Sequence, residues 1–158
     1  MKRLAMMTMA VGCLWLAACA GNGPVRRVSE PAAIIQQLTV RTDGSWSVEL
    51  RIENFSSVPM RFDNVSLAMT VAGESAGTLQ GRPGVTIGPE SADVATLTLA
   101  PLPSARIVLA DALARGRSVD YGFEGTLQAS PENGNQRNYQ IKRNSALSPV
   151  PGLPGVLR

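Results

Sequence analysis

The chain has 158 residues, 44% hydrophobic and 17% charged, with a formal net charge of +3 and no histidine. That length and apolar content suit one domain with tails and exclude disordered or collagen-like chains. The lack of histidine removes the commonest general base and metal ligand, and two cysteines build neither a disulfide scaffold nor an all-cysteine zinc site.

The chain opens on Lys2 and Arg3, followed by an apolar run from Leu4 to Leu16. A membrane-spanning helix needs about 20 apolar residues, so this shorter run fits the core of a signal peptide. It ends in Leu16-Ala17-Ala18-Cys19, which resembles the lipobox of bacterial lipoproteins. Small residues at 17 and 18 admit a peptidase, and the Cys19 thiol takes a diacylglyceryl group as a thioether. Cleavage before Cys19 then frees an amine for further acylation. An ordinary signal cut near Ala18 or Ala20 is the other reading, and it leaves Cys19 unmodified. On the lipoprotein reading, residues 1–18 are removed and the protein meets its membrane through lipidated Cys19. Each buried acyl methylene contributes about 0.8 kcal/mol, so two or three chains anchor firmly. By resemblance to enterobacterial sorting, Ala20 in place of Asp favours the outer membrane, with the domain facing the periplasm.

Losing Lys2 and Arg3 leaves 13 cationic against 12 acidic side chains, a net charge of +1. The apparent basicity was largely in the leader, and a nucleic-acid partner is excluded with it. Residues 19–33 are then expected to be the lipidated cysteine and a flexible tether, rich in Gly, Pro and small residues. Within it, Arg26 and Arg27 either meet anionic headgroups or stay solvated.

From Ile34 the pattern has period two. Trp46, Val48, Leu50 and Ile52 alternate with Ser47, Glu49, Arg51 and Glu53, which predicts a half-buried strand. The run from Ile34 to Arg41 joins it through Thr42-Asp43-Gly44, a hairpin signature. Further strands are predicted around Val65 to Val71, Val85 to Ile87, Ala92 to Leu99, Val119 to Leu127, and Tyr139 to Ile141. Asn133-Gly134 supplies the turn between the last two. One segment breaks this pattern: Ala105, Val108, Leu109, Ala112 and Leu113 share a helical face, with Ser104 as the expected cap and Gly116 just past the end. The expected fold is an all-β, immunoglobulin- or fibronectin-III-like antiparallel β-sandwich of about seven strands with one short helix, 104–115. The sandwich is expected over 34–143, followed by a Pro/Gly-rich tail, 144–158, running extended on the surface or disordered.

Little here points to chemistry. Gly73-Glu74-Ser75-Ala76-Gly77 matches a hydrolase nucleophile elbow, but no histidine stands behind Ser75, and a Gly-rich hairpin turn is the better reading. Glu49 and Glu53 share a solvent face with Arg51, and Asp111 is expected on the outward side of the helix. No pair is spaced as a glycosidase pair would require. Trp46 is in phase with Val48 and Leu50, which makes it core. No residue is nominated as catalytic, cofactor-binding or metal-ligating, and no small-molecule substrate is evident.

One stretch carries a resemblance. Leu50-Arg51-Ile52-Glu53-Asn54, then Ser57-Val58-Pro59, then Phe62-Asp63-Asn64-Val65-Ser66-Leu67 is similar to the group-2 late-embryogenesis-abundant family, whose domain is called WHy (water stress and hypersensitive response). Gly73, the Ile87-Gly88-Pro89 turn and the Gly125-bearing strand agree, so the likeness covers about Ile34 to Arg143. The family has Asn-Pro after the first strand. Here Phe55 follows Asn54, and Pro59 stands nearby as the rigid residue. The resemblance implies a small β-sandwich without known catalytic residues and a protective role under water stress. It implies no site residue. The sequence therefore leads to two expectations: a non-enzymatic stress-protective lipoprotein, or an assembly lipoprotein that binds an envelope protein through its sandwich or its Pro-rich tail.

Overall fold

The computed structural model describes residues 26–158. The leader, Cys19 and the expected tether up to residue 25 lie outside the described residues.

The first alternating runs form β1 (Ala32–Val40) and β2 (Trp46–Asn54), an antiparallel hairpin. Its turn falls at Asp43-Gly44: Gly44 has φ +81°, and the Asp43 carboxylate accepts the backbone N–H and the hydroxyl of Ser45 at 2.8 and 2.6 Å. Those two bonds hold the Asp43 carboxyl below the usual carboxylate range. There follow β3 (Met60–Val71), β4 (Glu74–Gly81), β5 (Val85–Ile87) and β6 (Ser91–Leu99). After the helix α1 (Pro103–Ala114) come β7 (Val119–Pro131), β8 (Arg137–Leu147) and β9 (Val156–Leu157).

The strands make two antiparallel sheets, ordered β6-β2-β1-β9 and β4-β3-β7-β8, with β5 beside β3. Trp46, Val48, Leu50 and Ile52 of the first sheet share one core with Phe62, Leu67, Met69 and Leu127 of the second, each at most 1% exposed. Burying side chains of this size contributes about 1.5–3 kcal/mol each. One polar bond also crosses the core. Just before a bulge between Ile35 and Gln37, the Ile35 N–H donates to the Tyr121 hydroxyl at 3.2 Å. The described residues form an all-β sandwich with one helix across an end, and Trp46 lies in its core.

Several expectations need correction. The described residues hold nine strands, not about seven. The predicted turn at 73–77 is already strand: the turn is Ala72-Gly73, both at positive φ (49° and 82°), and β4 begins at Glu74. Ala76 and Leu79 carry β4 inward, but two apolar residues among Gly, Ser and Thr give no readable period.

The tail is neither loose nor separate. β8 runs on to Leu147, and Leu157, fully buried, brings β9 alongside Leu38 and Thr39 of β1. Ser148 and Arg158 close this C-terminal loop by exchanging backbone bonds at 2.6 and 2.9 Å. One apolar residue among prolines is enough to dock a chain end, yet it leaves no alternation to detect.

At the other terminus β1 starts at Ala32, and residues 27 and 29 of the expected tether are already bonded to the sandwich. The helix spans 103–114, not 104–115. Leu102, not Ser104, is its N-cap and makes no side-chain cap bond, while Pro103 occupies the first turn. Its C-terminus closes as expected at Gly116 (φ +61°): Gly116 N–H donates to Leu113 O at 3.2 Å and Arg117 N–H to Ala112 O at 2.9 Å.

Candidate functional site

The two ends of the sandwich hold the features that point to function. At the end where β2 finishes, Asn54 is 1% exposed and its amide is saturated. Its Nδ2 donates to the carbonyls of Val58, Ile87 and Gly88 at 3.0, 3.1 and 2.8 Å, and its Oδ1 accepts the Ser56 N–H at 2.9 Å. One side chain thus binds the β2–β3 turn to the β5–β6 turn. Ser56, also buried, extends the knot: its hydroxyl accepts the Ser29 N–H at 3.0 Å and donates to Ser29 O at 3.3 Å.

The incoming chain is stapled at a second point. Arg27 N–H donates to the Ser57 hydroxyl at 2.8 Å, and Ser57 N–H donates to Arg27 O at 2.9 Å. The Arg27 guanidinium donates to Phe55 O at 3.1 Å and pairs with Glu90 at 3.2 Å. Arg26 donates to Glu132 O, while Glu132 N–H bonds Pro59 O at 2.9 Å. Segments around residues 27, 56, 88 and 132 therefore meet at one end. Phe55 projects from this knot, 47% exposed between two buried neighbours.

The opposite end is closed by α1. Ala105, Leu109 and Ala112 are buried under it, with Val108 and Leu113 packed alongside, as the spacing predicts. Leu102 N–H bonds Ala76 O at 3.2 Å and Arg106 donates to Gly44 O at 3.2 Å, which fastens the helix to β4 and to the first hairpin. A pocket of about 240 Å³ lies between Val40, Trp46, Leu109 and Leu113. Leu113 also lines a shallower hollow of about 440 Å³ with Pro149, Val150 and Leu153. Leu153 in that hollow and Leu102 are about half exposed, and Ile107, 70% exposed, lines a separate hollow with Asp111, Arg117 and Asp120. The helix end is an apolar relief around a rigid rod.

The residues weighed for chemistry are not gathered. Ser75 faces solvent on β4, opposite Thr70. On the outer face of the first sheet Arg51 pairs with Glu53 at 3.3 Å, and Gln37 donates to Glu49 at 3.2 Å. Asp111 sits on the outward side of α1 as expected and takes Arg115 and Arg117, each at 2.7 Å. Such exposed pairs contribute at most about 1 kcal/mol. Among the described residues no group of three His, Cys, Asp or Glu could hold a metal ion, and no helix is long and apolar enough to cross a membrane. Cys19, the predicted lipid attachment residue, lies outside the described residues.

The family resemblance took in Asn54, Ser57 and Pro59 but neither Ser29 nor Ser56. No period or spacing brings residue 29 to residue 56; only the folded turn does.

No family model matches the chain, and neither does any curated protein. Solved structures do. The crystal structure of a protein from Archaeoglobus fulgidus is 16% identical, with a TM-score of 0.46 over 78% of this chain and 98% of that one. The solution structure of a protein described as a candidate late embryogenesis abundant (LEA) protein is 13% identical, with a TM-score of 0.48 over 98% of this chain and 87% of that one. The solution structure of a protein from Arabidopsis thaliana is 14% identical, with a TM-score of 0.50 over 82% of this chain and 84% of that one. At that identity the likeness to the Arabidopsis protein is one of fold.

Proposed function

We propose that the chain is a lipid-anchored protein of the bacterial outer membrane whose sandwich acts in the periplasm without catalysis, protecting other proteins under water stress. The observation that carries this reading is the Asn54 knot. The residues by which the sequence resembles the WHy domain, Asn54, Val58, Ile87 and Gly88, are those that close one end of the sandwich. Phe55 stands where the family has proline, and the turn keeps its shape because the Asn54 side chain fixes it from within.

A protective role requires no pocket and no reactive side chain. It requires a stable, well-hydrated surface that keeps partly unfolded clients apart. The test uses protein lacking residues 1–19, mixed with a freeze-labile enzyme and taken through freezing or drying. Retained enzyme activity and low turbidity, beyond those given by equal mass of albumin, are expected; performance equal to albumin overturns the protective role. Palmitate labelling that disappears in Cys19→Ser is the corresponding test of the anchor.

A second reading is an assembly role, and the apolar relief at the helix end favours it. Ile107, Leu102 and Leu153 give a partner protein more to hold than the rest of the surface does. Because Leu157 belongs to the core, truncating the tail is a poor test of this reading. Ile107→Asp with Leu153→Asp leaves the core intact and is expected to abolish a stoichiometric envelope partner in crosslinked pull-downs. Capture unchanged by both substitutions counts against it.

A further inference from the structure

We infer that the knot end is a membrane-docking surface, with Phe55 and Val28 seated in the headgroup region of the bilayer that holds Cys19 and the helix end directed away from it. The inference rests on the lipid-anchor reading and adds an orientation to it.

The first argument is reach. The chain leaves the described domain at Arg26, held there by Arg27 and Ser29 on Ser57 and Ser56. Cys19 is seven residues before Arg26. Seven residues span at most about 25 Å even when fully extended. β3 runs from the knot end towards the helix end over 12 residues, about 40 Å at the rise of a strand. An anchor at Cys19 therefore cannot pass along the sandwich to the far end. The surface around Arg26 and Arg27 is what a lipid at Cys19 brings to the bilayer.

The second argument is what that surface presents. Phe55 and Val28 are the large apolar side chains exposed at this end, at 47% and 38%. Phe55 is held stiffly, because Asn54 and Ser56 on either side are buried and Arg27 bonds its carbonyl. An aromatic ring beside arginines suits an interface, where the ring takes the acyl boundary and the guanidinium groups stay among headgroups.

Charge does not drive the contact. Arg27 is paired with Glu90 and Arg51 with Glu53 in the hollow beside Phe55, Glu30 follows Ser29 in the chain, and Glu132 is brought to this end by its bond with Arg26. One phenylalanine and one valine are too little to bring a detached domain to a bilayer. A short tether raises the local concentration to the millimolar range, and there a weak contact becomes populated.

The test uses the full lipidated protein reconstituted in vesicles of phosphatidylethanolamine with a minor share of phosphatidylglycerol, some carrying bromine on the acyl chains. A tryptophan probe is placed at each end in turn, Phe55→Trp or Ile107→Trp. Native Trp46 is buried and serves as the unquenched background. Unchanged urea midpoints confirm that both variants fold. The expected result is a blue shift and at least twofold stronger bromine quenching for Phe55→Trp than for Ile107→Trp. Equal quenching, or stronger quenching at 107, overturns the docking while leaving the anchor standing. Protein that fails to float with vesicles, or floats equally well as Cys19→Ser, overturns the anchor and the docking together.

Discussion

At the knot end, Asn54 and Ser56 gather three chain segments through directed hydrogen bonds, whereas at the helix end Trp46, Leu109 and Leu157 gather three through apolar burial. The two solutions differ in what they specify. The Asn54 amide fixes angles as well as distances, and Ser56 and Ser57 pass that constraint to the incoming chain at Ser29 and Arg27. Apolar packing constrains volume more than angle, and it tolerates changes of shape at its rim. On the proposed reading, the end nearest the anchor is the one built from polar bonds, and the end offered to a partner is the one built from apolar relief.

The sharpest way to break this contrast is to change only the donors of the knot. Asn54→Asp keeps the shape and the bond from the Ser56 N–H but turns a carboxylate oxygen towards three carbonyls. A buried, uncompensated charge of this kind is expected to cost about 4 kcal/mol at neutral pH. The introduced carboxyl has a folded pKa raised above its unfolded value of about 3.9, because burial and facing carbonyls disfavour the charge. Its stability contribution is therefore greatest at low pH and is lost as pH rises through the raised value. Urea midpoints across pH 3–8 should show the deficit shrinking on acidification. A deficit independent of pH would mean that packing, and not the lost donors, holds the knot.

The matching change at the helix end is Leu109→Ala, expected to cost about 3 kcal/mol through the cavity it leaves. It should loosen α1 without touching the incoming chain. Hydrogen exchange is then expected to quicken along 103–114 while Ser29 and Ser57 keep their protection. Exchange rising equally at both ends would show that the ends are one cooperative unit.

The sequence reveals these two ends unequally. The helix face was legible because Ala105, Leu109 and Ala112 recur at helical spacing, and the first hairpin because Asp43-Gly44 accepts positive φ. The knot was legible only as a resemblance around Asn54. Its partners at Ile87 and Gly88 are some 33 residues away, and hydrogen bonds of this kind follow from the fold and leave no local period. β4 and β9 were hidden for a related reason. Their neighbours order them, and Leu157 among prolines carries no alternation of its own.

That hidden strand gives the next test. Leu157→Ala removes a fully buried side chain at the penultimate described residue and is expected to cost about 2 kcal/mol. A surface tail would lose nothing, so an unchanged urea midpoint would return residues 148–158 to the reading that the structure corrects.

The smallest effect concerns the bond that joins the two sheets between these ends. Burial lifts the Tyr121 phenol above its ordinary value of 10.0, and the Ile35 N–H and Ser145 offset part of that rise. Since the folded pKa exceeds the unfolded one, the phenol's contribution is complete below pH 10 and is lost as pH climbs through the folded value. Tyr121→Phe removes both the bond and the titration. At neutral pH the variant should be less stable by about 1 kcal/mol, the share of one buried hydrogen bond. Above pH 10 the native protein should weaken faster than the variant, so the gap narrows. Between about pH 6 and 9 both should hold flat stability, because the chain has no histidine to titrate there. Parallel alkaline profiles for the two proteins would show that Tyr121 ionises in the fold as freely as it does in water, and that the two sheets are held together by their apolar faces alone.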